Sequence, residues 1–81
     1  LKIDMSFIRK IPGDKTDSAI VSSITTMAHT LNLKVVAEGV EMKDQLDYLR
    51  SIGCDEIQGY LFSPPVPPEE MENLLREQKG K

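Results

Sequence analysis

LKVVAEGV, residues 33–40, is a short apolar run rich in β-branched residues, with one glutamate near its end. A continuously apolar strand of this kind is ordinarily buried on both faces, as in a parallel sheet. Upstream, Ile20, Ile24, Met27, Ala28 and Leu31 fall at i, i+4, i+7, i+8 and i+11, one stripe of an amphipathic helix over 17–31. Thr16 or Asp17 can cap its start, and Asn32 can end it in a left-handed conformation. Downstream, Met42, Leu46, Leu49 and Ile52 repeat the helical spacing over 42–52, and Gly53 stands where a C-terminal cap belongs. Farther out, LKIDMSFI at 1–8 sets Leu1, Ile3, Met5 and Phe7 against Lys2, Asp4 and Ser6, the period of two that predicts a strand. A turn at Ile11-Pro12-Gly13-Asp14 follows it. Residues 54–62, CDEIQGYLF, read as a third strand interrupted by Gly59. The prolines at 64, 65, 67 and 68 exclude helix and central strand for residues 63–68. Pro68 suits a first helical position, Glu69 and Glu70 suit the positive end, and Met71, Leu74 and Leu75 supply an apolar face over 68–78. The last residues, 78–81, are expected to fray.

The order β-α-β-α-β-α calls for a parallel sheet with right-handed crossovers. Three strands leave two open edges, so the pattern reads as the last three βα units of something larger, such as a (β/α)8 barrel. Periodicity alone does not choose between a barrel and an open flavodoxin-like sheet. The 81 residues carry ten Lys plus Arg against thirteen Asp plus Glu, a formal charge of −3. That balance disfavours a nucleic-acid backbone binder, which shows a clustered positive excess. No apolar run approaches the roughly 20 residues needed to cross a bilayer. One cysteine, Cys54, makes neither an internal disulfide nor a zinc site, which points to a reducing compartment. The opening on Leu1, without a methionine or targeting segment, reads as a piece of a longer polypeptide. A chain of this size buries only about 60% of its unfolded surface.

In a parallel α/β architecture the chemistry sits beyond the carboxyl ends of the strands. Lys2 and Asp4, two apart, are expected on one face of the first strand. Glu38 ends the second strand, Glu41 opens the following turn, and Gln58 lies late in the third. Each has an ordinary reading: a solvated face for Lys-x-Asp, a helix cap for Glu41, nothing for a lone Gln58. Together they are harder to dismiss, because a carboxylate in an apolar strand needs a cationic partner, either Lys2 or a metal ion. Without thiols or paired histidines, hard cations such as Mg²⁺ or Mn²⁺ are favoured over zinc. His29 reads as structural, Cys54 as a small buried hydrophobe, and Met27, Met42 and Met71 as core filler. No Gly-rich phosphate loop, HExxH, GxSxG or EF-hand pattern is present.

LKIDMSFI, then VVAEGVE, then Gln45 followed by Leu49, then GCDEIQGYLFSPP resemble the C-terminal third of the EAL domain, over nearly the whole chain and in order. AEGVE and QGYLFS with its following proline are the specific signals. The resemblance implies a modified (β/α)8 barrel, incomplete as a free chain. It implies a bacterial signalling phosphodiesterase that hydrolyses cyclic di-GMP to pGpG with Mg²⁺ or Mn²⁺. On it, Lys2, Glu38 and Gln58 become catalytic positions, with Lys2 near the water and phosphate and Gln58 lining the site. Glu38 and Asp4 also become metal positions, Glu38 near the second metal and the attacking water and Asp4 as the acidic companion of Lys2 on the same strand. Glu41 braces an active-site loop, and Pro64 and Pro65 shape the rim near a guanine. Many members carry Arg or Lys where Met5 stands. The Glu-Ala-Leu segment, the Asn and Glu of the middle strands and an Asp-Asp pair belong upstream of Leu1. The fragment alone is therefore expected to be inactive and to self-associate through its open edges, within a cytoplasmic, homodimeric parent. The alternative is a silent receptor that binds cyclic di-GMP without cutting it.

Overall fold

In a computed structural model, which describes residues 1–59 and 64–79, Lys2–Ile3 form a short strand (β1) and Met5–Ile8 a single helical turn (α1). Lys15–Thr30 form a long helix (α2), Val36–Val40 a strand (β2) and Lys43–Ser51 a helix (α3). Glu56–Gly59 form the third strand (β3) and Pro68–Lys79 the last helix (α4). The strands are parallel and ordered β1-β2-β3, so each pairs with its neighbour in the chain and no switch in strand order occurs among them. The parallel α/β expectation holds. The part of the third predicted strand at 60–62 lies outside the described residues.

Helix ends follow local chemistry. Asp14 caps α2 through its carboxylate, which accepts from the Asp17 amide at 2.8 Å, so the helix starts two residues before the predicted boundary. Its far end is the expected one. Asn32 adopts φ +61°, Asn32 N donates to the His29 carbonyl at 3.0 Å, and Leu33 N donates to the Ala28 carbonyl at 2.8 Å. Gly53 closes α3 with φ +84°, while Cys54 N donates to the Leu49 carbonyl at 3.0 Å. These are Schellman closures, in which a left-handed residue lets the next amides satisfy the last helical carbonyls.

Ile3, Ala37 and Ile57 stand in register across the sheet and are all buried. They form one cluster with Val21 and Ala28 of α2, Leu46 and Leu49 of α3, and Met71 and Leu75 of α4. The long helices therefore cover one sheet face. Leu46, Leu49 and Ile57 are fully buried, and each such side chain contributes about 1.5–3 kcal/mol relative to exposure. Leu49→Ala is the kind of change that breaks this layer, at about 2–5 kcal/mol.

Two expectations are corrected. The strand predicted for 1–8 ends at Ile3: Asp4 leaves the ladder, caps α1 through Ser6 N at 2.9 Å, and Phe7 N bonds the Asp4 carbonyl at 3.1 Å. The buried side of α2 is also different. Ser18, Val21, Thr25 and Ala28 face inward, whereas Met27 and Leu31 are 59% and 64% exposed. Met42 is likewise exposed, leaving Met71 alone among the three methionines read as core filler in the core.

Candidate active site

Alternation along each strand decides which side chains share the uncovered face. Since Ile3, Ala37 and Ile57 point to the helices, their strand neighbours point the other way. Lys2, Val36 and Glu56 form one register row. Glu38 and Gln58 follow Ala37 and Ile57, and so stand side by side one step farther along, on strands spaced about 4.8 Å apart. Lys2 is exposed, while Glu38, Glu56 and Gln58 are half-buried. The structure thus brings an ammonium, a carboxylate and an amide to one sheet face. Such a set can bind an anionic oxygen and orient a water molecule. Glu56, which has no assigned role in the sequence, shares this face; its place two residues before Gln58 on a strand is the signal that could have found it.

Asp4 stands apart from the ladder. It lies level with Glu38, because Ile3 pairs with Ala37, and it keeps an extended backbone of φ −61° and ψ 146°. Hydrogen bonds from the Ser6 hydroxyl and amide, with the Arg9 guanidinium nearby, hold its carboxyl below the usual range. Its position is therefore set by α1 rather than by strand pairing.

Beyond Glu38 the strand is irregular. Ala37 pairs with Ile57 but Val40 with Gly59, so three steps on β2 match two on β3. Gly39 sits inside this bulge at φ +78°. A bulge of this kind bends a strand and re-aims the residues after it. Glu41 then emerges as an exposed side chain, while its amide donates to Gln45 Oε1 at 2.8 Å. Gln45 is among the residues that carry the family resemblance, but the sequence assigns it no role in this region. Its signal is an amide three residues after Met42, in the middle of an apolar helical stripe.

Pro64 and Pro65 are exposed. Val66 makes an antiparallel bridge to Ile57, with bonds of 2.7 and 2.8 Å, so the preceding prolines lie toward the C-terminal end of β3. Among the described residues no three His, Cys, Asp or Glu side chains gather closely enough to hold a metal ion. Asp4 and Glu38 offer oxygen donors suited to a hard cation, but they do not complete a coordination shell. His29 and Cys54 lie elsewhere. His29 Nε2 meets Asp55 Oδ2 at 2.7 Å near the start of β3, and burial pushes the Cys54 thiol up to about 11, leaving it protonated at neutral pH.

Residues 1–65 match the EAL domain. The chain is 51% identical over 76 residues to the cyclic di-GMP phosphodiesterase NbdA of Pseudomonas aeruginosa, covering 94% of this chain and 10% of that protein. It is 48% identical over 71 residues to the bifunctional diguanylate cyclase/cyclic di-GMP phosphodiesterase MucR of the same organism, covering 88% of this chain and 10% of that one. The solved MucR phosphodiesterase in complex with c-di-GMP superposes with a TM-score of 0.71 at 48% identity, over 88% of this chain and 29% of that structure. A manganese/cyclic di-GMP complex of BlrP1 from Klebsiella pneumoniae superposes with a TM-score of 0.70 at 39% identity, over 83% and 17%. This chain belongs to the EAL domain family, an α/β fold with TIM-barrel-like structural neighbours. It spans about a tenth of the length of these curated relatives.

Proposed function

We propose that this chain forms the last three βα units of a (β/α)8 EAL domain and supplies part of a site that hydrolyses cyclic di-GMP to pGpG. The observation that carries the reading is the shared sheet face of Lys2, Glu38 and Gln58 in a chain of this family. Lys2 places positive charge where anionic charge develops on the phosphoryl oxygens. Glu38 orients the attacking water and accepts its proton, provided that the water lies within hydrogen-bond reach. Gln58, beside Glu38, donates to or accepts from the same water or a phosphate oxygen. Pro64 and Pro65 form a rigid rim toward a guanine.

Asp4 and Glu38 would hold Mg²⁺ or Mn²⁺ together with ligands from elsewhere in the domain. When bound, the cation neutralises phosphate charge and acidifies water. The relative BlrP1 is known as a manganese/cyclic di-GMP complex, which supports that choice of ion. Because the described residues do not complete the metal shell, the 81-residue chain by itself is read as inactive. A cytoplasmic, homodimeric parent belongs to the same reading; no described helix is long and apolar enough to cross a membrane.

The test is turnover of cyclic di-GMP by the full-length protein with Mn²⁺ or Mg²⁺, followed as pGpG by chromatography. Glu38→Gln should lower kcat by about a hundredfold or more while binding is retained. Tight binding without turnover by the wild type would instead identify a receptor, and neither binding nor turnover would end the assignment.

A further inference from the structure

The short helix α1 is a single turn, and a turn of that length has no intrinsic stability in water. It nevertheless has a fixed place, between the end of β1 and the bulge of β2. Ile8 anchors it in the core, where Phe7 also packs, and two further contacts fix its ends. At its start, Met5 packs directly over Gly39, where an added Cβ would lie 2.5 Å from Met5 Cβ. At its end, the Gln45 side chain reaches across from α3. Gln45 Nε2 donates to the Ile8 and Arg9 carbonyls at 3.2 and 3.4 Å. Its Oε1 accepts from Glu41 N and Met42 N at 2.8 and 3.0 Å.

This amide is only 5% exposed, and its two acceptor sites and two donor hydrogens are all used. Its orientation follows from the partners, since both groups at Oε1 are N–H donors and both at Nε2 are carbonyls. Capping α3 would need the acceptor half alone, as in any capping box. The donor half does something else: it ties residues 36 and 37 positions earlier in the chain to the loop after Glu38. An apolar side chain could fill this space without desolvating an amide.

We infer that Gln45 is a positioning residue. It locks α1 to the 40–42 loop, and thereby holds Asp4, at the head of α1, in fixed relation to Glu38 and Glu41. The inference rests on the phosphodiesterase reading above, because its consequence is the geometry of that site.

The experiment compares Gln45→Leu and Gln45→Glu in the full-length protein, by cyclic di-GMP kinetics and by amide hydrogen exchange. Gln45→Leu removes all four bonds and should lower kcat about tenfold to hundredfold with little change in KM, as expected for a displacement of about 1 Å at the site. Glu41 and Met42 amides should lose exchange protection. Gln45→Glu keeps the acceptor half when ionised, so those two amides stay protected, but it cannot donate to Ile8 and Arg9. Protonation restores one donor, so its kcat relative to wild type should recover as pH falls through the pKa of the new carboxyl. A residue that merely fills space would not show that recovery. If either folded variant keeps wild-type kcat, or if Gln45→Glu shows no such pH dependence, the inference is overturned; should Gln45→Leu fail to fold, Gln45→Glu decides alone. A wild type that leaves cyclic di-GMP intact overturns the functional reading instead. The clamp is then judged by exchange of the Arg9 and Ile11 amides, which donate to the Met5 and Ile8 carbonyls: protection lost in both variants supports it, and protection kept in either refutes it.

Discussion

Gly39 shows how much one position can decide. At φ +78° it occupies the left-handed region, and a methyl group there would strike Met5. An L-residue costs about 1–2 kcal/mol in that conformation, and overpacking against a neighbour adds about 1–3 kcal/mol. Gly39→Ala should therefore lower the unfolding free energy by about 2–5 kcal/mol in denaturant titration. Met5→Gly removes the opposing Cβ, so in that background Gly39→Ala should be relieved of the clash and cost only the conformational part of the loss. An equal cost of Gly39→Ala with Met5 and with Gly at position 5 would show that Met5 is not the obstacle. The glycine itself is visible in the sequence as part of AEGV. Its partner is not, because nothing in a linear pattern says that residue 5 comes to lie over residue 39.

At the scale of elements, period-two spelling misled at the first strand and helical period misled on α2, each for a physical reason. In LKIDMSFIRKI, residues 1–11, Ile3, Phe7, Ile8 and Ile11 also fit helical spacing, and Asp4 with a serine two residues on is a local capping signal. The capped turn prevailed over the alternating strand. On α2 the small residues Ser18, Thr25 and Ala28, with Val21, face the sheet, leaving the larger Met27 and Leu31 outside. That stripe is turned by roughly one residue, about 100°, from the one chosen on hydrophobicity. Thr25 is tolerated there because its hydroxyl donates to the Val21 carbonyl at 2.9 Å.

A second contact fastens α2 to the sheet. Asp55 Oδ2 accepts from His29 Nε2 at 2.7 Å and from the Val35 amide at 2.8 Å. Partial burial works against the ionised carboxylate, but the His29 and Val35 bonds outweigh it and hold its pKa below the ordinary 3.8. A depressed carboxyl pKa stabilises the fold above the unfolded value, and that contribution is lost as pH falls through the folded one. The stability contributed by the Asp55 carboxylate should thus decline below about pH 4. Asp55→Ala should cost about 1–3 kcal/mol, largely by leaving the amide of fully buried Val35 unpaired. In urea titrations at several pH values, the variant's difference from wild type should shrink in acid; a constant difference would exclude the carboxylate as its source.

For the whole molecule, one face of the sheet is covered by helices and the other carries Lys2, Glu38, Glu56 and Gln58. The 81-residue polypeptide on its own should associate with increasing concentration, since the described residues leave the outer edge of β1 and this face uncovered, and sedimentation should show species larger than a monomer. A monomer at every concentration would contradict that expectation. On the proposed function, chelation should abolish cyclic di-GMP cleavage by the full-length protein, with Mn²⁺ or Mg²⁺ restoring it; activity that survives chelation would remove the metal from that proposal. The amino-acid sequence by itself determined the alternation of strand and helix, the parallel sheet, the glycine and asparagine helix ends, and the placing of Lys2, Glu38 and Gln58 on strands. Those features follow from local propensity and from the period of the backbone. Tertiary structure alone decided which side of α2 is buried, that Asp4 is held by a helical turn, and that Gln45 joins segments nearly forty residues apart. Such choices depend on side-chain volume and on buried hydrogen-bond satisfaction between segments, and neither exists until the chain has closed on itself.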